Sequence, residues 1–255
     1  MCLVVLAWQQ HPEFPLIIAG NRDEFHGRPT ERASWWSDAP DIVGGRDLQA
    51  GGTWLALHRK GRFATVTNFR DAELPSAKYR SRGHLVTDFL NGADAPLDYL
   101  SAIDGKEYAG FNLLVSDGTE MAWLSNREDG VRTLAPGIYG LSNALLDSPW
   151  SKVIRSKAAL KELIRHGKVN ETELFRLLDD RTKAPVDEVE SGHLPFAKAH
   201  AISAPFIVLP DYGTRSSSVA LLDAAGCWRF NERRFDAAGN KTGDTAFTIT
   251  PKNAV

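Results

Sequence analysis

Cys2-Leu3-Val4-Val5-Leu6-Ala7-Trp8, followed after a short connection by Leu16-Ile17-Ile18-Ala19-Gly20-Asn21-Arg22-Asp23-Glu24-Phe25, decides how this chain is read. The first run is apolar at every position, the pattern of a strand buried on both faces. Pro12 and Pro15 punctuate the connection, and residues 16–20 resume the apolar pattern, so the two runs are expected to form a hairpin. The second run then changes abruptly: Asn21, Arg22, Asp23 and Glu24 are all polar, and three of them carry charge. Side chains alternate across a strand, so Asn21 and Asp23 share one face and Arg22 and Glu24 the other. The hairpin places one of those pairs beside Cys2; both registers stay open at this level.

Outward from the hairpin, residues 53–57 and 62–67 read as paired strands, as do 111–115 and 120–124 around Asp117-Gly118. Helical patterns cover 81–90, 96–103, 151–166 with Gly167 as its stop, and 171–178 with Asn170 as its cap. Residues 181–200 mix charges with two prolines and read as a long loop. Strand signals return over 202–209, 216–222, 228–235 and 245–250. Strands, then helices, then strands again suggest sheet layers covered by helices. With no linker, repeat or low-complexity tract, residues 1–255 are expected to form one domain.

Of the 255 residues, 43% are hydrophobic and 24% charged, which supplies a sizeable core and excludes general disorder. The net charge is -2 with no long run of one sign, so no nucleic-acid footprint is present. Two cysteines, Cys2 and Cys227, exclude a disulfide framework. The apolar start lacks a basic flank and reads as a strand rather than a signal peptide. No segment has the roughly 18 apolar residues a membrane helix needs, so no transmembrane segment is expected and a cytoplasmic location is. The seven histidines show no metal-ligand spacing, neither cysteine has a second one nearby, and no phosphate loop occurs, so no metal is expected.

Cys2 follows the initiator methionine and is small enough for Met1 to be removed. Removal leaves a thiol and an α-amine on one residue, with ordinary pKa values of about 8.5 and about 7.7–8.0. The amine can then take the thiol proton, a self-contained nucleophile and base. Taken alone, Cys2 also reads as an apolar residue opening a core strand. Beside it, Asp23 or Glu24 would hold the α-ammonium, and Arg22 would favour the thiolate. Asn68 and Asn143 close strands and offer amide donors for an oxyanion. Gly51-Gly52-Thr53-Trp54 either admits a ligand to the backbone or bends the chain, and Arg215 stands among hydroxyls in 213–218. Asn21, Asn68, Thr53 and Trp54 are the candidate substrate- or oxyanion-binding residues.

The ordered set Met1-Cys2, Asn21-Arg22-Asp23-Glu24, Gly51-Gly52-Thr53-Trp54, Thr67-Asn68, Gly140-Leu141-Ser142-Asn143-Ala144 and Tyr212-Gly213-Thr214-Arg215 resembles the NRDE family, named for its tetrapeptide. The resemblance runs from Met1 to about Thr250. It implies an α+β fold, the four-layer αββα sandwich of N-terminal-nucleophile hydrolases. A more distant similarity is to bile-salt hydrolases and penicillin V acylases, whose nucleophile, asparagine and late arginine correspond to Cys2, Asn143 and Arg215. Their arginine–aspartate pair, three residues apart, falls on Asn21 and Glu24 by position; by chemistry it corresponds to the adjacent Arg22 and Asp23. The implied activity is a cysteine amidohydrolase or acyltransferase acting on a non-peptide C–N bond of a small, partly apolar substrate, with no cofactor. Family members have also been linked to haem movement and to lipid or acyl-CoA homeostasis. The second reading is therefore a non-catalytic carrier, with haem or a lipid as ligand in an apolar cleft of Trp35, Trp36, Trp54 and the histidines, which could also ligate iron.

Overall fold

The opening runs pair as β1 (Cys2–Trp8) and β2 (Leu16–Phe25), antiparallel, with Trp8 opposite Leu16 and Cys2 opposite Arg22. The structure is a computed structural model that describes residues 2–71 and 79–250; Met1, whose removal the sequence reading invokes, lies outside them. After the hairpin come β3 (Thr30–Trp35), β4 (Ile42–Asp47), β5 (Leu55–His58) and β6 (Phe63–Asn68). α1 (Gly83–Asn91) and α2 (Pro96–Ser101) follow, then β7 (Phe111–Ser116), β8 (Met121–Ser125), β9 (Arg132–Thr133) and β10 (Gly137–Leu141). α3 (Ser151–Arg165), α4 (Glu171–Leu178) and α5 (Phe196–Ala201) precede β11 (Tyr212–Leu222), β12 (Trp228–Phe235) and β13 (Lys241–Ile249).

The strands form two antiparallel sheets, one ordered β10-β1-β2-β11-β12-β13 and the other running from β3 to β9 in sequence order. Alternation explains why β1 is apolar throughout. Val4, Leu6 and Trp8 point into the core between the sheets, where Leu55, Phe63, Leu114 and Trp123 meet them. Val5 and Ala7 point outward, under Leu160 of α3 and Leu174 and Leu178 of α4. On the far side, Leu85 and Phe89 of α1 and Leu100 of α2 cover Ala56, Ala64 and Leu113. Each such aliphatic side chain stabilises the fold by about 1.5–3 kcal/mol relative to exposure. The result is the αββα sandwich.

Several stretches depart from the sequence expectation, β4 and β9 among them, over which no strand is expected. Residues 202–209 are not a strand; only Val208 makes an isolated bridge, to Gly213. Their apolar character serves burial, since Ile202, Ala204, Phe206 and Ile207 are all buried. Their donors go elsewhere: Pro205 has none, Phe206 N–H bonds Asp180 O, and Ile207 N–H bonds Thr214 Oγ1. Within 181–200, a 3₁₀ turn (Val186–Glu188) and the start of α5 replace a featureless loop. β3 gives no strand signal in the sequence because it is a sheet edge, mostly polar and bulged between Glu31 and Ser34.

Candidate active site

Cys2 opens β1 at the end of the first sheet where β2 finishes and β11 begins. The register there settles which face the polar residues take. Cys2 opposes Arg22 and Leu3 opposes Asn21, so Arg22 shares the face of Cys2, toward the second sheet. Its guanidinium lies 4.2 Å over the Trp54 ring and donates from Nη1 to Thr30 Oγ1 at 3.0 Å. Asn21 turns the other way. Its Nδ2 donates to Leu178 O at 2.9 Å and Pro205 O at 3.0 Å, and its Oδ1 accepts from Ser217 Oγ at 2.6 Å. That amide is fully engaged in fastening the chain after α4 to the sheet, which removes it from the substrate-binding role expected of it.

Asp23 follows Arg22, one step past the pair with Cys2, and is buried. Its Oδ1 accepts from Thr214 Oγ1 at 2.7 Å, and its carbonyl accepts from the Tyr212 hydroxyl at 2.9 Å. Burial pushes its carboxyl up to about 6 against the pull of Lys152. Lys152 carried no sequence signal beyond its place in the first turn of α3 beside buried Ser151 and Val153. It is 1% exposed, donates to Ile202 O at 3.4 Å, and is lowered to about 8 by burial, with Asp23 opposing. Glu24 is half-buried and faces Arg28 at 3.8 Å, which itself pairs with Asp47 at 2.6 Å.

These groups line a cavity of about 310 Å³. Cys2, Arg22, Asp23 and Glu24 form one wall, and Thr53, Trp54, Asn68 and Arg82 contribute to the others. The Gly51-Gly52 motif is explained by packing of backbone on backbone. A Cβ on Gly52 would stand 2.4 Å from the carbonyl carbon of Gly83, so only glycine lets the entry to β5 lie against the start of α1. Gly51 has φ +80, the left-handed turn that precedes it. Trp35 and Trp36 do not line this cavity. They stack under Arg59 and Arg46, which leaves Trp54 alone of the three expected tryptophans.

Asn143 and Arg215 lie near the site without lining it. Asn143 is fully buried and donates from Nδ2 to Asn68 O at 2.7 Å; its neighbour Ser142 donates to Cys2 O at 2.8 Å. Together they clamp the ends of β10, β6 and β1. Asn68 itself faces the cavity, and among the described residues no hydrogen bond takes up its side-chain amide. The bulge between Thr214 and Ser216 displaces Arg215, which donates to Phe25 O at 2.9 Å and Arg28 O at 3.1 Å, bracing the turn after β2. The Cys2 thiol is raised by burial, with the charge of Asp23 adding to the shift; the Asp23 backbone N–H and Arg22 pull the other way. The resting group is therefore a thiol, and chemistry at it needs a base.

Comparison with known proteins bears on the family and the fold. The family described as Transport and Golgi organisation 2 matches residues 1–237. The chain belongs to this family. A homologue from Bos taurus is 34% identical, covering 91% of this chain and 92% of that protein. One from Homo sapiens is 33% identical, with the same coverage. The Drosophila melanogaster protein is 29% identical over 91% of both chains. Among solved structures, the C2A mutant of conjugated bile acid hydrolase from Clostridium perfringens aligns with TM-score 0.54 and 11% identity, over 99% of this chain and 94% of that one. A Caenorhabditis elegans N-acylethanolamine-hydrolyzing acid amidase ortholog aligns with TM-score 0.50 and 12% identity, over 86% and 92%. At such identities the likeness is one of fold alone, the αββα sandwich. No helix among the described residues is long and apolar enough to cross a membrane.

Proposed function

We propose that the chain is a cysteine amidohydrolase or acyltransferase acting on a non-peptide C–N bond, with Cys2 as nucleophile once Met1 is removed. The observation that carries this reading is the placement of Cys2 in the wall of a cavity, with Arg22 directly across the strand and Asp23 one residue further. In the processed chain the α-amine of Cys2 takes the thiol proton as sulfur attacks the amide carbonyl. A carbon–sulfur bond forms and the carbonyl π electrons move to oxygen, where the Asn68 side-chain N–H donates to the oxyanion while Asn143 holds the Asn68 backbone carbonyl. As the C–N bond breaks, the leaving nitrogen keeps that electron pair and takes the proton from the α-ammonium. Water then attacks the thioester, gives a proton to the amine, and releases the acid while sulfur regains its proton. With an amine in place of water the same step is acyl transfer. Asp23 holds the ammonium, and Arg22 favours the thiolate.

Binding by the same cavity without turnover has less to support it. The cavity is lined by four arginines and three carboxylates among other residues, and among the described residues no histidine lines it, which does not fit a porphyrin. The test is a panel of N-acyl-p-nitroanilides with intact-mass measurement of the native protein. A chain beginning at Cys2, an acyl adduct on that residue, and at least about a thousandfold loss of turnover in Cys2→Ala with unchanged melting are expected. Full retention of Met1, or turnover surviving Cys2→Ala, would sink the mechanism.

A further inference from the structure

Four arginines line the Cys2 cavity, and they fall into two kinds. Arg28 is neutralised by Asp47 at 2.6 Å, and Arg80 by Glu107 at 2.7 Å. Among the described residues, Arg22 and Arg82 have only neutral oxygens as hydrogen-bond acceptors. Arg22 donates to Thr30 Oγ1 at 3.0 Å, and Arg82 from Nη1 to Gly110 O at 2.9 Å. Among the described residues no carboxylate forms an ion pair with either. Arg22 is 4% exposed, and Arg82 is partly buried. Holding a cation this far from water without a direct ion-pair partner is unfavourable, a cost reduced when an anion arrives.

The two guanidiniums approach the cavity from different layers, Arg22 on β2 of the first sheet and Arg82 immediately before α1 on the other side. Gly83, the first residue of α1, also lines the cavity, and the first turn of that helix has neither an acidic residue nor a side-chain cap. Its amide dipoles add to the positive field there. Of the carboxylates in the wall, Asp23 is opposed by Lys152, and Glu24 and Asp47 share Arg28, so none is committed to Arg22 or Arg82. Burial lowers the pKa of both arginines from their ordinary value against the pull of nearby carboxylates, yet a guanidinium stays protonated at neutral pH. We infer that the substrate is an anionic amide, whose carboxylate or phosphate is gripped between Arg22 and Arg82 while its carbonyl reaches Cys2. Planar guanidinium forks suit either oxyanion. The inference rests on the reading of Cys2 as nucleophile, and it adds what that nucleophile meets.

Two small electrophiles test it without knowledge of the substrate. Iodoacetate carries the anion and iodoacetamide is its neutral counterpart; modification of Cys2 is followed by peptide mass, with N-acetylcysteinamide in solution as reference. The iodoacetate-to-iodoacetamide rate ratio at Cys2 is expected to exceed that of the reference by about tenfold or more. Arg82→Gln should lower the ratio at least about fivefold, and Arg82→Lys should restore part of it. A ratio equal to the reference, or one unmoved by Arg82→Gln, overturns the anion site while leaving Cys2 as nucleophile. If Cys2 reacts with neither reagent, the nucleophile reading fails, and the anion site is read by melting in glutarate, in inorganic phosphate and in chloride of equal ionic strength. Stabilisation by about 2 °C or more, lost in Arg82→Gln, supports it and shows which oxyanion fits; no shift in either salt overturns it.

Discussion

From Leu16 to Gly20, β2 buries side chains that need only space; from Asn21 to Glu24 the same strand buries or half-buries side chains that need partners. Ile17 and Ile18 are fully enclosed, one under the helices and the other between the sheets. Asn21, Arg22 and Asp23 are as deeply placed, within 4% exposure, yet each is held by named oxygens, nitrogens or an aromatic face. The difference teaches where stability is made and where it is surrendered. The apolar half supplies the binding energy of the layers, and the polar half uses part of it to keep charge beside a thiol.

The sharpest way to break that comparison is to weaken the apolar half. Ile18→Ala removes a fully buried side chain from the core between the sheets. It should cost about 2–5 kcal/mol, read as a lower urea midpoint with the slope unchanged. The iodoacetate preference of the molecules that remain folded should not move. A loss of that preference at full stability would mean the two halves are not separable.

Asp23 offers a pH test of the polar half. Its folded pKa of about 6 lies above the ordinary 3.8, so the folded state binds the proton more tightly than the unfolded chain. Its contribution is therefore full below about pH 4 and is lost as pH rises through about 6, by roughly 3 kcal/mol. Lys152 has the opposite sign: its folded pKa of about 8 lies below 10.5, so stability falls as pH drops from above 10.5 through 8. Asp23→Asn should flatten the acid limb, seen as a wild-type minus variant difference that changes between pH 4 and 7. A constant difference would mean that the carboxyl is not buried as described.

Much of this was legible before any coordinates. An all-apolar β1 can only be a doubly buried strand, and Gly167 and Asn170 mark helix ends that the structure keeps within a residue or two. Cys2 was legible as chemistry because its neighbour is an initiator methionine. The register was not, because periodicity gives alternation but no phase, and phase decides that Arg22 rather than Asn21 meets Cys2. Lys152 was hidden for another reason: a lysine in the first turn of an amphipathic helix reads as solvated unless one knows that Asp23 lies beneath it. Arg82 matters only because Gly52 and Gly83 bring two distant backbones together. Ile202 to Leu209 misled because apolar runs signal burial, which a strand and a tethered coil share.

The smallest effect, and the one that most sharpens the division within β2, concerns Asn21. Its amide makes three hydrogen bonds across 157, 184 and 196 residues of sequence, to Leu178, Pro205 and Ser217. Asn21→Ala strands two buried carbonyls and a hydroxyl while removing no charge, so a loss of about 2 kcal/mol is expected. Arg22 stays fixed by Thr30 and Trp54, on the opposite face, so the iodoacetate-to-iodoacetamide ratio at Cys2 should change less than about twofold. Asn21 is then an anchor that lends its neighbours their positions. The reverse result, an altered ratio with stability intact, would move Asn21 into the site and put the boundary between the two halves at Gly20 instead of between Asn21 and Arg22.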